Sequence, residues 1–275
     1  MFKIYDLNMK ELPFPEGVKP LDIFVSSVNK RRLTEEFEGR SGTLNYGYDY
    51  GERSVDLSLW LEAHDTIDYR LIRNELYAFF DAHDVFYIEE TRVPSRVLKV
   101  TIDESYIPER INQTHSSVEI SCRTLDSVFW ESKYTTLELH DTGYSATAEK
   151  YGLVDNIDDE KVKYRFTESN FSVYNAGNVT VEPESMLLNI NVNAVQSDNN
   201  FTIRNKTTGE EVILKRESKG SHFRIQGMVI SLGSITNIFR DTNRTFISLV
   251  PGDNQFEILN GTFGEIRFEF KYLYK

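Results

Sequence analysis

Alternation of apolar and polar residues with a period of two most constrains what this chain can fold into. The clearest run is at 55–61, where one Val and three Leu alternate with Asp, Ser and Trp, and similar runs occur at 98–102, 118–123 and 266–274. This period places apolar side chains on one face of a half-buried strand. The pattern predicts a mainly β protein, in which Cys122 is a small buried side chain on the apolar face of its strand.

One segment departs from this pattern and predicts a helix. Its apolar residues recur at helical spacings, at Ile67, Leu71, Ile72, Leu76, Phe79 and Phe80. Asp65 is the predicted N-cap, and Asp68 places a carboxylate in the first turn, where it complements the helix dipole. One amphipathic helix among antiparallel strands predicts an α+β domain in which the helix covers one sheet face. Phe79 and Phe80 are its predicted anchors.

The second half of the sequence predicts a separate all-β domain. An acidic run, typical of a solvated loop, follows a weakly patterned stretch at 134–152. We therefore expect an N-terminal domain at 1–135, a linker at 136–160 and a C-terminal domain at 161–275. About eight short strands with turns between them predict that this last domain is a β-sandwich or jelly roll.

The turn residues of that domain predict two local features. Residues 201–203 and 212–214 flank Thr208-Gly209 and are predicted to pair as a hairpin. Phe246 and Leu249 are predicted to lie on another short strand of the same domain.

Charge and composition exclude several classes of protein. The 275 residues carry a net charge of -12, with no basic half, so no specific nucleic-acid binding is expected. A single Cys excludes an intrachain disulfide and a Cys-based zinc cage. No stretch approaches the ~18 consecutive apolar residues of a membrane span, so we expect no membrane insertion. The polar N-terminus lacks the apolar core of a secretory signal, which predicts synthesis in a cytosol.

Motifs that carry catalysis are absent from the sequence. There is no Gly-x-Gly-x-x-Gly, Gly-x-x-x-x-Gly-Lys or Gly-x-Ser-x-Gly, and no pair of histidines has His-Glu-x-x-His spacing. His64 and His83 flank the predicted helix, and each precedes an Asp. They could bind a metal or act in catalysis, but polar residues flanking a helix are the favoured interpretation. We nominate no catalytic, cofactor-binding or metal-binding residue.

The most unusual local composition lies at 38–53, where four glycines interleave with Tyr46, Tyr48 and Tyr50. Glycines permit unusual backbone angles, and tyrosines supply rigid, amphipathic contact area. An extended arm that docks on a neighbouring subunit has this composition. A flexible surface hairpin with incidental tyrosines is an equal alternative, and stacking on a glycan is a third.

The order of these features resembles the distal tail protein family of long-tailed, non-contractile bacteriophages, over nearly the whole chain. In the first half the resemblance is carried by FVSSVNKRRL at 24–33, the Gly-rich loop, VDLSLWL at 55–61, the helix end YAFF at 77–80, FYIEE at 86–90, PSR at 94–96 with LKV at 98–100, and VEISCRTLDSVFWES at 118–132. In the second half it is carried by FSVYNAG at 171–177 with Pro183, and by LVPGDN at 249–254.

The resemblance implies a structural virion protein at the phage tail tip. Family members form a hexameric hub ring through the first domain, while galectin-like second domains radiate outward. The implied partners are the tail tube protein, a tail-associated fibre or lysin-like protein, and receptor-binding or baseplate proteins. DNA passes through such a ring unbound, and synthesis is in the host cytoplasm. The expected subunit interface comprises Tyr46, Tyr48, Tyr50 and the sheet face that carries Trp60.

Two other functions remain open at this point. The C-terminal sandwich could be a carbohydrate-binding adhesion module, for which the sequence offers only the scattered tyrosines Tyr144, Tyr151, Tyr164 and Tyr174. An enzyme acting on cell-wall polymer is less favoured, because no motif nominates a catalytic residue. The protein is therefore not expected to be an enzyme.

Overall fold

The computed structural model describes residues 1–39, 41–142 and 159–275. It divides into two compact units, Met1–Trp130 with Lys275, and Glu131–Tyr274. Within the described ranges, no helix is long and apolar enough to cross a membrane.

The first unit is built on one antiparallel sheet. The strands of this unit are β1 (Phe2–Tyr5), β2 (Glu11–Leu12), β3 (Val18–Val25), β4 (Asn29–Glu36), β5 (Thr43–Gly51), β6 (Ser54–Glu62), β7 (Val85–Glu90), β8 (Arg96–Ile102), β9 (Glu109–Arg110) and β10 (His115–Thr124). Strand β11 (Trp130–Ser132) follows where the chain passes from the first unit to the second. The sheet runs β2-β1-β7-β8-β10-β6-β3, and β9 adds to β10. Strands β4 and β5 stand apart as a two-stranded sheet of their own.

Helix α1 (Thr66–Ala82) covers one face of this sheet. The Asp65 carboxylate accepts hydrogen bonds from the Ile67 and Asp68 backbone N–H groups, both at 2.8 Å, which confirms it as the N-cap. These two bonds stabilise the charged carboxylate and hold the pKa of Asp65 below its usual value. The helix therefore begins where the sequence predicts.

The buried stripe of α1 differs from the prediction in part. Its core residues are Tyr69, Ile72, Leu76 and Phe80. Ile67 and Leu71, which the apolar spacing also included, are 71% and 56% exposed. When apolar residues are abundant, the i, i+3, i+4 pattern fits more than one stripe of the helix surface. The stripe that becomes buried is the one that packs against the apolar side chains of the sheet.

The two predicted anchors of α1 have different environments. Phe80 is buried in the sheet core and confirms its predicted role. Phe79 is only partly buried and packs at 5.6 Å between ring centroids against Phe14. Cys122 is buried in the same core, as predicted, and burial raises the pKa of its thiol to about 12.

The second unit is a sandwich of two antiparallel sheets. Its strands are β12 (Arg165–Phe166), β13 (Asn170–Asn175), β14 (Leu188–Ser197), β15 (Phe201–Asn205), β16 (Glu211–Leu214), β17 (Ser218–Gln226), β18 (Val229–Leu232), β19 (Gly252–Leu259), β20 (Glu265–Phe270) and β21 (Leu273–Tyr274). One sheet runs β12-β20-β14-β17-β18 and the other β13-β19-β15-β16. Aromatic rings pack between the sheets, with Phe256 at 4.8 Å from Phe268 and Phe201 at 6.3 Å from Phe223. The predicted mainly β fold is therefore correct.

The predicted hairpin at 201–214 is confirmed by the pairing of β15 with β16. The predicted strand through Phe246 and Leu249 is wrong, because Leu249 makes only an isolated bridge to Val181. The expected linker begins at 136, yet residues 136–142 form helix α2, in which Leu139 is fully buried. Residues 143–158 of that expected linker lie outside the described residues.

Buried asparagines hold the turn that precedes β19. Asn254 is fully buried, and its side-chain amide donates to the Val250 and Gly252 carbonyls at 2.8 and 3.1 Å. Its Oδ1 accepts from the Val250 N–H at 3.0 Å and from Asn205 Nδ2 at 3.2 Å. Asn175 Nδ2 donates to the Leu249 carbonyl at 3.1 Å. The asparagines of the 171–177 and 249–254 motifs therefore satisfy buried backbone groups, as polar side chains in a core must.

Candidate assembly interface

Strands β4 and β5 form a long exposed hairpin, which we call the arm (residues 29–51). Each strand spans eight or nine residues, so the arm is about 30 Å long. Every residue of β4 is exposed. An isolated two-stranded hairpin is only marginally stable in water, and it needs a further packing surface to be held firmly.

Two of the predicted interface tyrosines lie on the arm and face solvent. Tyr46 and Tyr48 are 60% and 43% exposed. The Tyr46 hydroxyl donates to the Glu35 carboxylate at 2.9 Å, and this bond raises the pKa of Tyr46. Between them, Gly47 adopts a φ of 111° where the pairing register shifts, a backbone angle that a residue with a Cβ rarely adopts.

Tyr50 instead belongs to the root of the arm. Its ring packs edge-on against Phe129 at 5.0 Å and against Tyr48 at 5.4 Å. The Lys275 ammonium lies 5.6 Å from the Tyr50 ring centroid. Tyr50 is therefore engaged within its own unit, which separates it from the two exposed tyrosines.

A buried arginine fixes the root to the sheet. Arg53 donates from Nε to the Ser26 carbonyl at 2.8 Å and from Nη1 to the Val128 carbonyl at 3.3 Å. Burial lowers the pKa of Arg53, since desolvation penalises its charge. The Ser54 N–H also donates to Ser26 Oγ at 3.1 Å. These bonds connect Ser26, in the segment that enters the arm, to Arg53 and Ser54, in the segment that leaves it. The root of the arm is therefore fixed to the sheet.

Charge is unevenly distributed along the arm. The half near the root carries Lys30, Arg31 and Arg32, whereas the sequence of the tip carries Glu35, Glu36 and Glu38 against one basic residue, Arg40. Lys30 lies 4.5 Å from the Tyr48 ring centroid, and Arg31 is 3.7 Å from Asp49 in a largely exposed pair. Among the residues that the structure describes, no carboxylate pairs with Arg32. The proximal half of the arm therefore presents cations and tyrosines together.

The face of β3, β6 and β10 that is opposite α1 has no covering layer; we call it the open face. Along β6, Val55, Leu57, Leu59 and Leu61 are fully buried on the helix side, and Asp56, Ser58 and Trp60 alternate onto the open face. Cross-strand partners share a face, which adds Phe24 and Asp22 from β3 and Glu119 from β10.

The open face is acidic and bears exposed aromatic side chains. Phe24 is 59% exposed, and Trp60 is half-buried with its ring 5.7 Å from that of His115. The two basic residues on this face are already ion-paired, Lys19 with Glu62 and Arg123 with both Glu52 and Asp103. The carboxylates at positions 22, 56 and 119 have no basic partner among the described residues.

Trp60 and the tyrosines do not form one patch. The arm leaves the sheet beside Ser54, six residues along β6 from Trp60, which corresponds to about 20 Å. The predicted interface residues are thus divided between an arm at one end of the sheet and a face that extends to the other end.

The two histidines that flank α1 and a cavity beside this helix are the remaining candidate sites of the first unit. His64 precedes the N-cap of α1 and His83 is its C-cap, in keeping with their interpretation as residues that flank a helix. A cavity of about 760 Å³ beside α1 is lined by Asp81, Asp84, Asp103 and other residues. Within the described ranges, no three His, Cys, Asp or Glu side chains are grouped to hold a metal ion.

Of the four tyrosines that could have supported glycan binding, the structure describes Tyr164 and Tyr174. Tyr164 is fully buried and donates its hydroxyl to the Tyr174 carbonyl at 2.8 Å. Tyr174 is half-buried, with Lys161 at 4.9 Å from its ring centroid. Tyr144 and Tyr151 lie outside the described residues.

Sequence reasoning missed Arg53, Phe129 and Phe24. An arginine beside a Gly- and Tyr-rich stretch reads as a solvated residue, and only the folded chain brings the Ser26 and Val128 carbonyls to its guanidinium. Phe24 was visible in the β3 segment as an apolar residue that breaks the alternation. The FVSSVNKRRL motif at 24–33 is shared between two strands, β3 and β4, which are separated by residues 26–28.

Comparison with known proteins agrees with this architecture. Residues 15–122 match the family described as phage tail protein RIFT-related domain. That stretch contains the arm, the open face and α1. No curated protein sequence matches the chain.

Solved structures add a match over the full length. The Dit protein of phage SPP1, described as a paradigm of the hub adsorption apparatus in phages that infect Gram-positive bacteria, is 11% identical with a TM-score of 0.68, covering 99% of this chain and 100% of its own. Components of the phage p2 baseplate in its activated conformation with Sr and with Ca give TM-scores of 0.44 and 0.43 at 10% and 11% identity, each covering 98% of this chain and 97% of its own. At those two scores the likeness decides nothing about the fold.

The family match falls in the N-terminal unit, and the likeness to SPP1 Dit extends over both units. Together they confirm the resemblance on which the sequence-based expectation rested. Residues 15–122 are therefore similar to the phage tail RIFT-related domain family, and the fold of the chain is similar to that of SPP1 Dit.

Proposed function

We propose that this protein is a structural component of the phage tail tip, where six copies form a hub ring through their N-terminal units. The fold likeness to SPP1 Dit and the phage tail family match at 15–122 support this role. No catalytic activity is part of the proposal. The domain roles follow the division expected from the sequence, with the ring formed by residues 1–135 and the sandwich of residues 161–275 directed toward other tail components.

The observation that carries the proposal is the arm. It projects about 30 Å, exposes Tyr46 and Tyr48, and is fixed only at its root by Arg53 and Tyr50. Large aromatic side chains on an exposed hairpin are costly in a monomer and useful in an interface. A closed ring needs a heterologous contact, in which one surface of a subunit meets a different surface of the next. An arm of this length and composition supplies the donor side of that contact.

The proposed partners follow from the position in the tail. They are the tail tube protein on one side, a tail-associated fibre or lysin-like protein on the other, and receptor-binding or baseplate proteins around the C-terminal units. The proposed location is the tail tip of the virion, after synthesis in the host cytoplasm. An acidic subunit is suited to a ring through which DNA passes unbound, since negative charge repels phosphate.

The test compares the full chain with a variant in which residues 30–50 are replaced by a short Gly/Ser linker. We expect the full chain to form rings of six in negative-stain images and in light scattering at increasing concentration. The arm-deleted variant should remain monomeric while keeping a cooperative unfolding transition. A full chain that stays monomeric both alone and when mixed with tail tubes would overturn the proposed ring.

A further inference from the structure

We infer that the cavity beside α1 binds a flexible aliphatic amine with two or more ammonium groups, that is, a diamine or a polyamine. Its lining combines the aromatic rings of Tyr77 and Tyr106 with carboxylates that include Asp81 and Glu104. All of its lining residues belong to the first unit, so the site is complete in a single copy of the chain. The inference therefore goes beyond the proposed ring and does not depend on it.

The aromatic part of the lining forms a corner. The Tyr106 ring centroid lies 5.5 Å from that of Tyr77 with the planes at 71°, and 6.1 Å from that of Phe80 with the planes at 82°. Rings at such angles present differently oriented faces to a group placed between them. The face of an aromatic ring attracts a cation, and aromatic cages for alkylated ammonium groups use this attraction. The corner is therefore suited to a ligand whose ammonium groups are attached to methylenes.

The corner is also partly sheltered from water. Tyr77 and Tyr106 are half-buried, and Phe80 is 3% exposed. Burial, together with the neighbouring Tyr77, Cys122 and Asp81, raises the pKa of Tyr106 to about 12. Attraction between a cation and the site is stronger in such surroundings than in bulk water, because less water screens it. A cavity with convergent polar groups and a perturbed tyrosine has the properties of a binding site.

The polar part of the lining is acidic. Its four carboxylates belong to Asp81, Asp84, Asp103 and Glu104. Lysine, arginine and histidine do not occur among the described residues that line the cavity. Asp103 pairs with Arg123 at 3.3 Å, whereas Asp81 and Glu104 have no basic partner in the part of the chain that the structure describes. The cavity is therefore complementary in charge to a cationic ligand.

The placement of these carboxylates favours an organic cation over a metal ion. Asp81 lies in the last turn of α1 and Asp84 follows the helix, whereas Asp103 and Glu104 follow β8. Within the described ranges, no three acidic or other metal-binding side chains are grouped to hold a metal ion. A methylene chain between two ammonium groups can reach both segments while its apolar part contacts the rings. The volume of about 760 Å³ is within the range of roughly 300–1,000 Å³ that is usual for small-molecule sites.

The direct test is isothermal titration calorimetry of the full chain with spermidine, and with magnesium chloride at the same ionic strength. We expect saturable one-to-one binding of spermidine, which weakens as salt is added because the attraction is screened. Magnesium, which has no apolar part to contact the rings, should give no comparable binding. Magnesium binding as tight as that of spermidine would reduce the cavity to an acidic surface and overturn the inference. Failure of spermidine to saturate the chain would also overturn it.

Variants separate the contribution of the carboxylates from that of net charge. D81N/E104Q changes two exposed side chains with little change of shape, and should weaken spermidine binding about fivefold. E119Q/E168Q removes the same charge from exposed positions outside the cavity, and this matched control should bind like the native chain. Equal loss in the two double variants would refute the inference, because net charge alone would then account for binding.

A second pair of variants tests the aromatic corner. Tyr106→Phe keeps the ring and should bind spermidine within about twofold of the native chain, whereas Tyr106→Leu should weaken binding on the order of tenfold. Circular dichroism checks that each variant is folded. Native-like binding by a folded Tyr106→Leu variant would refute the inference. D81N/E104Q decides the question by itself if Tyr106→Leu does not fold.

Discussion

Replacement of Asn254 tests whether the buried amide network holds the turn before β19. Asn254→Leu keeps the branching of the side chain at Cγ and removes all of its hydrogen bonds. The Val250 N–H loses its acceptor at 3.0 Å, and the Val250 and Gly252 carbonyls lose a donor at 2.8 and 3.1 Å. Asn205 keeps a bond to the Ser248 carbonyl at 3.0 Å.

The magnitude follows from the groups left without partners. Each orphaned buried polar group costs about 1–3 kcal/mol, and the half-buried turn lets water satisfy some of them. We therefore expect Asn254→Leu to lower the free energy of unfolding by about 3 kcal/mol. For a unit of this size, such a loss lowers Tm by roughly 10 °C in thermal unfolding followed by circular dichroism.

Asn254→Asp gives the same change a pH signature. The new carboxyl is buried without a cation, so its folded-state pKa is raised above the unfolded value of about 3.9. The folded state then binds the proton more tightly than the unfolded state does. The free energy of unfolding therefore falls as pH rises from the unfolded-state pKa through the folded-state pKa. Asn199→Asp, on an exposed turn of the same unit, is the control and should show no added pH dependence. The reasoning is refuted if Asn254→Leu unfolds within about 0.5 kcal/mol of the native chain, or if the two Asp variants have the same pH profile.

Three further changes are expected to have distinct outcomes. Gly177→Ala would place a Cβ 2.5 Å from the Leu273 carbonyl oxygen, so we expect it to lower the free energy of unfolding in urea by at least about 2 kcal/mol. At Gly264 an added Cβ would make only ordinary contacts, so the control Gly264→Ala should be nearly neutral. Equal stability of the two variants would contradict this expectation. The Cys122 thiol, with a pKa of about 12 in the core, should not react with a thiol reagent until the protein is denatured, and rapid labelling of the native chain would show that it is accessible. Asp65→Ala should destabilise α1 more at neutral pH than in acid. The pKa of Asp65 is lowered in the folded state, so the stabilisation by its carboxylate is lost as pH falls through that folded-state pKa. Circular dichroism at pH 7 and pH 2.5 measures the loss of helix, and an equal loss at both pH values would refute the expectation.

The expected contribution of the arm to assembly depends on residues that the sequence analysis identified only in part. Tyr46 and Tyr48 were recognised by composition, and the structure leaves them exposed. Tyr50 was grouped with them, but its ring packs on Phe129 of its own unit. Composition cannot separate these roles, because a root residue and a tip residue of one hairpin differ only in what lies beside them after folding.

Local pattern by itself determined much of this protein. Alternation predicted the strands at 55–61, 98–102 and 118–123, because one buried face requires an apolar side chain at every second residue. Asp65 set the start of α1, since a cap acts through bonds to residues two and three positions away. The order of motifs was sufficient to point to the distal tail family.

Tertiary structure decided what depends on residues far apart in the chain. The stripe of α1 that is buried, the isolated bridge at Leu249 and the burial of Arg53 each depend on a partner dozens of positions away. The division of the candidate interface between the arm and the open face is of the same kind. Strand pairing makes β4 and β5 a sheet of their own and places Trp60 on the face that β3, β6 and β10 share, and side-chain periodicity carries no information about either.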